Sequence, residues 1–358
     1  MRVTVLSACT AIVVLLTQAA VSQVPLQPPI SLAVWVFGDS NVDSGWYKAT
    51  SSGLADYDTL LANASLGVGK PTNNPGPMSV EVLAELLHTT ATPANQGGTN
   101  YATSGARNTL VNTTSSGGFP NAVPTITQIN NYLQQHGIPA GNDIFLVDSG
   151  ANDVGFAINH ITMLFRKTRY IVQQATMLAD AILTLQQHGA KHIIVVNQPE
   201  NFGNPQHPTL AQFRQLYNTT LQNRLATIGV IYAWGDANRV RLDIAEDQAI
   251  MGQKFQIMFI DTQAGHIACP RPDPMLYPHI QTGWAIVCSS SSPVSKPMNG
   301  TTQLAEHTLF ADDQHWASGA QAILGSYFYC LVKAKWPQLA PQAVACNAFS
   351  EFHGVPQQ

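Results

Sequence analysis

The chain has 358 residues, of which only 11% are charged, and its formal net charge is -4 with a pI of about 6.2. This balance and the absence of a Lys/Arg run exclude a nucleic-acid partner and give no sign of an anionic membrane partner. The length exceeds what most single cores need, but α/β folds of this size often form one domain.

The N-terminal segment predicts export. Arg2 supplies a positive charge, residues 3–21 are mostly apolar without any charge, and Ala20-Val21-Ser22 offers the small residues of a signal-peptidase site. The strongest apolar run, residues 11–16, is short for a bilayer span. We therefore expect a cleaved signal peptide over residues 1–22, a secreted chain over 23–358 and no stable membrane anchor.

Four continuous apolar runs predict buried parallel strands, at residues 32–37, 144–147, 192–196 and 255–260. Segments of helical periodicity lie between and after them, at residues 78–87, 123–135, 169–188, 210–228 and 317–335. Strands that alternate with helices predict a mainly parallel sheet covered by helices on both faces. Residues 67–77 and 93–98, rich in Gly, Pro and Asn, are predicted as surface loops. There is no internal repeat and no linker, so we expect a single domain.

The cysteines agree with an exported chain. Cys9 leaves with the signal, and the four that remain allow three connectivities. We predict the local pairs Cys269–Cys288 and Cys330–Cys346, each worth about 3 kcal/mol in the chain-entropy picture. Buried free thiols, or one pair only, are the alternatives. Glycosylation in a eukaryotic host is possible at four N-x-S/T sites, Asn63, Asn112, Asn218 and Asn299.

A serine follows the first predicted strand directly. Gly38 permits a tight turn there, and Ser40 then stands at the carboxyl edge of the sheet, where open α/β sheets bind ligands. A serine that caps a helix is the alternative reading. The chain contains no G-x-S-x-G, so the usual nucleophile elbow of α/β-hydrolases is absent.

A candidate base lies near the C-terminus. A serine hydroxyl needs a base within hydrogen-bond reach, and His315 is suited because histidine titrates near neutral pH. Asp312 precedes it by three residues, which on a turn or helix start places both on one face and lets the carboxylate orient the ring. Asp313 is the rival partner, but its side chain is expected to point elsewhere. A solvated turn is the alternative.

Two further segments offer donors for an oxyanion. Asn152, in Gly150-Ala151-Asn152-Asp153 after the second strand, carries an NH2 group that can stabilise a tetrahedral intermediate. Gly105 offers a backbone N–H that a substrate can approach closely. Each segment alone also reads as an ordinary turn.

In their order and strand-end contexts these segments resemble the SGNH hydrolases, the GDSL family of esterases and lipases. The matching positions are Gly38, Asp39, Ser40, Asp43 and Gly45 for block I, Gly105 for block II, Gly150, Asn152 and Asp153 for block III, and Asp312 and His315 for block V. The resemblance spans about residues 32–335. It implies a three-layer α/β/α sandwich of the flavodoxin-like kind and an oxyanion hole formed by Ser40 N–H, Gly105 N–H and the Asn152 side chain. It implies no metal or cofactor.

The sequence thus predicts a secreted serine ester hydrolase that forms an acyl-enzyme on Ser40. Residues 46–100 form a loop-rich insertion, and loops of this kind often set specificity. Trp46 and Tyr47 are a possible wall for an acyl group or a sugar, with a packing cluster as the alternative. Since no long exposed apolar helix suggests an interfacial lid, we expect short acyl chains.

Three other functions are alternatives to this prediction. A carbohydrate acetylesterase would share the fold and the site. A non-catalytic sugar- or lipid-binding module would have lost a catalytic residue, and none is missing. A metallohydrolase is disfavoured because the chain has no H-E-x-x-H. The expected partner is an ester substrate, which is a lipid, a small ester or an acetylated carbohydrate, and we expect a monomer.

Overall fold

The computed structural model describes residues 32–109, 119–200, 208–255, 266–280, 282–297, 307–340 and 342–353. Within them, four parallel strands form one sheet in the order β1-β2-β3-β4. Their bounds are β1 Val34–Gly38, β2 Ile144–Asp148, β3 His192–Val196 and β4 Ala233–Gly235. The segment around Asn100 forms a parallel bridge with Val36 on the other edge of β1. This bridge places the second sequence block beside the first strand.

Helices cover the sheet throughout the described ranges. They are α1 Ala55–Leu61, α2 Ser79–Leu86, α3 Thr125–His136, α4 Ala151–His160, α5 Leu164–Gln187, α6 Pro208–Thr227, α7 Ala237–Glu246, α8 Gln248–Phe255 and α9 Ser318–Lys335. Short 3-10 helices lie at Trp46–Lys48, Ala64–Leu66, Ala94–Gln96, Trp284–Val287, Pro337–Leu339, Cys346–Ala348 and Ser350–Phe352.

Alternate strand residues enter two separate cores. Val36 and Leu146 pack with α2, α7 and α9 on one face, whereas Phe37 and Phe145 pack with α3, α4, α5 and α6 on the other. Because both faces are covered, the strands are apolar at nearly every position instead of alternating. The predicted three-layer α/β/α architecture is confirmed.

The first three predicted strands and the five predicted helices are present, with ends that shift by a few residues. The fourth strand was predicted in the wrong place. It is β4, which has only three residues and gives no apolar run long enough to detect. In the run predicted as residues 255–260, Phe255 ends α8, and residues 256–260 lie outside the described ranges.

Residues 67–77 were predicted as a surface loop, but the middle of this segment is buried. Thr72 and Asn73 are buried because they hydrogen-bond the backbone that follows His315. Thr72 Oγ1 donates to Trp316 O at 3.0 Å, and Ser318 N donates to Asn73 Oδ1 at 2.7 Å. Polar side chains are stable inside a protein when they are paired in this way. The insertion therefore supports the segment of the candidate base.

Both predicted disulfides are present, Cys269–Cys288 and Cys330–Cys346. The acceptor site at Asn218 is buried, and its amide bonds both backbone groups of Gln198, so it is not available for glycosylation. Asn63 is exposed. The predicted signal peptide and the sites at Asn112 and Asn299 lie outside the described residues. No helix in the described part of the chain is long and apolar enough to cross a membrane.

Candidate active site

The turn that carries Ser40 is held by its neighbours on the sheet edge. A Cβ atom on Gly38 would lie 2.0 Å from the carbonyl oxygen of Asp148, so the close approach of β1 and β2 requires glycine here. The Gln128 side chain accepts from Gly38 N at 2.8 Å and donates to Gly38 O at 2.9 Å. Asp39 N donates to Asp148 O at 3.2 Å. Ser40 follows this clamp directly and is partly exposed.

Asp43 connects the first sequence block to the second. Its Oδ1 accepts from the backbone N–H groups of Gly45 and Trp46, each at 2.8 Å. Its Oδ2 accepts from Ser104 N at 2.9 Å and from Ser104 Oγ at 2.6 Å. Burial raises the pKa of this carboxyl. One carboxylate oxygen of Asp43 thus fixes its own loop, and the other fixes the loop that presents Gly105.

The third block is tied to the second in the same way. Asp153 accepts from Asn108 N at 2.9 Å, and burial raises its pKa to about 7. Asn152 Nδ2 donates to Ala106 O at 3.0 Å. A narrow cleft is lined by Ser40, Gly105 and Asn152 together, so the three predicted oxyanion donors converge at one place.

His315 and Asp312 form the contact that the D-x-x-H spacing predicts. His315 Nδ1 lies 2.9 and 3.0 Å from the two carboxylate oxygens of Asp312, which leaves Nε2 as the acceptor when Nδ1 carries the proton. Asp312 also accepts from Ala285 N at 2.6 Å and from Gln314 N at 2.7 Å. Burial lowers the pKa of His315, but the carboxylates of Asp312, Asp313 and Asp39 together raise it by more, so the net shift is upward. Asp313 turns away, as expected, and accepts from Gly283 N at 3.1 Å.

Ser40 and His315 line one cavity of about 250 Å³. Its wall is mixed, because polar residues are more numerous in the lining but apolar atoms form slightly more of its surface. The polar side chains belong to Asn41, Asn152, Asn159, Gln198, Gln314, Arg214 and Asp313, and the large apolar ones to Ile158, Pro199 and Leu210. A space of this size fits a small acyl group better than a long acyl chain.

Sequence reasoning missed a group of residues beneath the nucleophile. Asp148 Oδ1 accepts from Gln198 Nε2 at 2.9 Å and from Asn41 Nδ2 at 3.4 Å. Burial, and then the neighbouring Asp39, raises the pKa of Asp148 well above its usual range. Asp148 ends one mainly apolar strand and Gln198 follows another, which is a signal that could have found them. Arg214 lies inside α6 and gives no such signal.

Trp46 and Tyr47, which were predicted as a possible substrate wall, lie in a hydrophobic packing cluster. Tyr47 is 2% exposed, and its hydroxyl donates to Ser104 O at 2.9 Å. Its ring packs on Phe119 with 4.7 Å between centroids, and Phe119 takes the position on the cleft wall. Trp46 is partly buried against the same cluster. The contacts of Trp46 and Tyr47 therefore match the alternative prediction, in which the two side chains form a packing cluster.

Among the described residues, no group of three or more His, Cys, Asp or Glu side chains could hold a metal ion.

Residues 34–328 match the family of GDSL-like lipases and acylhydrolases. The chain belongs to this family, and its class is therefore that of the carboxylic ester hydrolases. No sequence among the curated proteins matches it.

Among solved structures, the chain is similar to the acetylxylan esterase Axe2 from Geobacillus stearothermophilus, with 16% identity and a TM-score of 0.36. The alignment covers 60% of this chain and 80% of that one. A mutant of Axe2, described as an acetyl-xylooligosaccharide esterase, gives 14% identity and a TM-score of 0.35 over the same shares. Likenesses this distant carry no argument about the substrate.

Proposed function

We propose that this protein is a secreted serine esterase that hydrolyses short-chain carboxylic esters through an acyl-enzyme on Ser40. His315 takes the proton of the Ser40 hydroxyl as it attacks the ester carbonyl, and Asp312 holds the ring and stabilises the imidazolium. The oxyanion is bound by Ser40 N–H, Gly105 N–H and the Asn152 side chain. The alcohol leaves, and His315 then activates water for deacylation.

One observation carries this proposal. A buried His315–Asp312 pair, joined at 2.9 Å, shares a cleft with Ser40 and with both other candidate oxyanion donors. These groups come from segments far apart in the chain, and hydrogen bonds to Gly38, Ser104 and Asp312 hold the segments in place. Preorganisation of this kind is what acyl transfer requires.

A carbohydrate acetylesterase is the second candidate. The amide side chains of Asn41, Asn159 and Gln198 in the cavity wall favour it, since amides pair well with sugar hydroxyls. The acyl group is then acetyl and the leaving alcohol is a sugar ring. The cavity, of about 250 Å³, has room for the reacting part of either kind of ester substrate.

The test is a series of p-nitrophenyl esters from acetyl to palmitoyl, together with acetylated xylan. We expect the highest kcat/KM at acetyl or butyryl, and release of acetate from xylan would select the carbohydrate esterase. Ser40→Ala should be inactive. Asn152→Ala should lose about 10²–10³ in kcat if its NH2 binds the oxyanion.

Asn159→Ala is the matched control, because Asn159 lines the same cavity but lies outside the four sequence blocks. It should lose far less than Asn152→Ala. Near-native turnover by Asn152→Ala, or activity in Ser40→Ala, would overturn the assigned roles. Silence on every ester would favour a binding module instead. Secretion is checked by N-terminal sequencing of exported protein, which should begin at Gln23.

A further inference from the structure

Three consecutive apolar side chains are exposed where α4 ends and α5 begins. Met163, Leu164 and Phe165 are 49%, 70% and 66% exposed. Single exposed apolar residues are ordinary on protein surfaces, whereas contiguous ones mark interaction sites. In the described part of the chain, the other adjacent exposed pair of this kind is Met275 and Leu276.

Basic residues follow these apolar side chains at once. Arg166, Lys167 and Arg169 lie in the first turns of α5, and the chain has no acidic residue between Asp153 and Asp180. The net charge of the whole chain is nevertheless -4. Cations at a helix N-terminus oppose the helix dipole, so this arrangement is unfavourable until an anion approaches. The local charge is therefore complementary to an anionic partner.

Two of these basic side chains line a shallow cavity between α4 and α5. Its volume is about 380 Å³, and its lining includes Arg166, Arg169, His160, Thr162 and Gln173. Guanidinium groups bind phosphate oxygens through paired, charge-assisted hydrogen bonds. A cavity of this composition fits a phosphate headgroup beside the exposed apolar side chains.

The position of these residues connects them to the active site. Gly155 and Ile158 of α4 line the cavity that contains Ser40. Residues 161–169 follow directly on the same stretch of chain. Lys167 Nζ donates to Ile158 O at 2.9 Å, which ties the start of α5 to the last turns of α4. Docking through this region would therefore hold the active site close to the surface of the partner.

We infer that residues 160–169, called here the α4–α5 surface, dock reversibly onto an anionic phospholipid surface. The side chains of residues 163–165 enter the interface, and Arg166 and Arg169 bind headgroup phosphates. The sequence alone did not predict an anionic partner. The three cations are few, and they indicate one only together with the exposed apolar side chains and the cavity beside them. This docking goes beyond the proposed ester hydrolysis and does not depend on it.

The test is co-sedimentation of the full chain with phosphatidylcholine vesicles that contain phosphatidylglycerol, and with vesicles of phosphatidylcholine alone. Each cation near an anionic surface is worth about fivefold in binding, so with two arginines engaged the mixed vesicles should bind about thirtyfold more tightly. Arg166→Gln with Arg169→Gln should weaken binding to mixed vesicles by about thirtyfold. Ser40→Ala should bind as tightly as the unchanged protein, which separates this inference from the catalytic one.

The apolar contribution has a matched control in the chain. Leu164→Ser with Phe165→Ser should abolish binding to mixed vesicles, whereas Met275→Ser with Leu276→Ser should leave it unchanged. All of these surface variants should keep their kcat/KM on soluble p-nitrophenyl acetate, which shows that they are folded.

Three results would overturn the inference. One is equal binding to the two kinds of vesicle, and another is an equal loss in both apolar double variants. The third is binding of soluble polygalacturonate that displaces the vesicles and needs the same arginines, which would make an acidic polysaccharide the partner.

Discussion

Asp39, next to the candidate nucleophile, should lower the stability of the folded protein when it is ionised. The side chain is fully buried, and its Oδ1 accepts from Asn41 N at 3.1 Å. Burial raises its pKa from 3.8 to about 6. The folded state therefore binds this proton more tightly than the unfolded state does. Stability falls as pH rises from about 4 to about 6, and a shift of about two pH units amounts to about 3 kcal/mol.

Asp39→Asn should be more stable than the unchanged protein by about 3 kcal/mol at a pH of about 8, and nearly equal to it at a pH of about 4. Urea unfolding at the two pH values measures the difference. Asp43→Asn is the matched control, because both of its carboxylate oxygens accept hydrogen bonds, and an NH2 group would face the Ser104 donors. It should destabilise the protein at neutral pH by about 1–3 kcal/mol.

The same change should be visible in catalysis. Burial lowers the pKa of His315, while neighbouring carboxylates, Asp39 among them, raise it. Removing the Asp39 charge should thus lower the pKa of the base and move the acid limb of kcat/KM to lower pH. A stability gain of equal size at both pH values would refute the argument from ionisation. An unchanged acid limb would show that the Asp39 charge does not affect the pKa of His315.

Three further results are expected. In the unchanged enzyme, kcat/KM on a soluble ester should fall as the pH drops, because the base must be neutral. The midpoint should lie above the usual pKa of histidine, because burial lowers the pKa of His315 but the carboxylates of Asp312, Asp313 and Asp39 together raise it by more. Gly150→Ala should cost about 3 kcal/mol or more in urea unfolding, since φ is 124° and a Cβ would lie 2.3 Å from Tyr217 Cζ. Cys269→Ser with Cys288→Ser should lower stability by about 3 kcal/mol, measured in the same way, and an unchanged urea midpoint would show that this cross-link does not constrain the unfolded chain.

The features that the sequence predicts well are those written in short stretches of chain. Continuous apolar runs predicted β1, β2 and β3, because a strand covered on both faces must be apolar at every position. The contact between His315 and Asp312 follows from a spacing of three residues. The two disulfides join cysteines that are 19 and 16 residues apart. The placement of Ser40 at the carboxyl edge also follows from local order, since it comes directly after a strand.

Other features depend on which distant segments meet, and only the tertiary structure decided them. Arg214 of α6 lines the cavity that contains Ser40, and no local pattern in that helix specifies their meeting. Phe119 displaces Tyr47 from the cleft wall because a loop far along the chain packs over it. Periodicity and spacing act within a few residues, whereas burial and the pKa shifts that follow from it are set by neighbours brought together in folding.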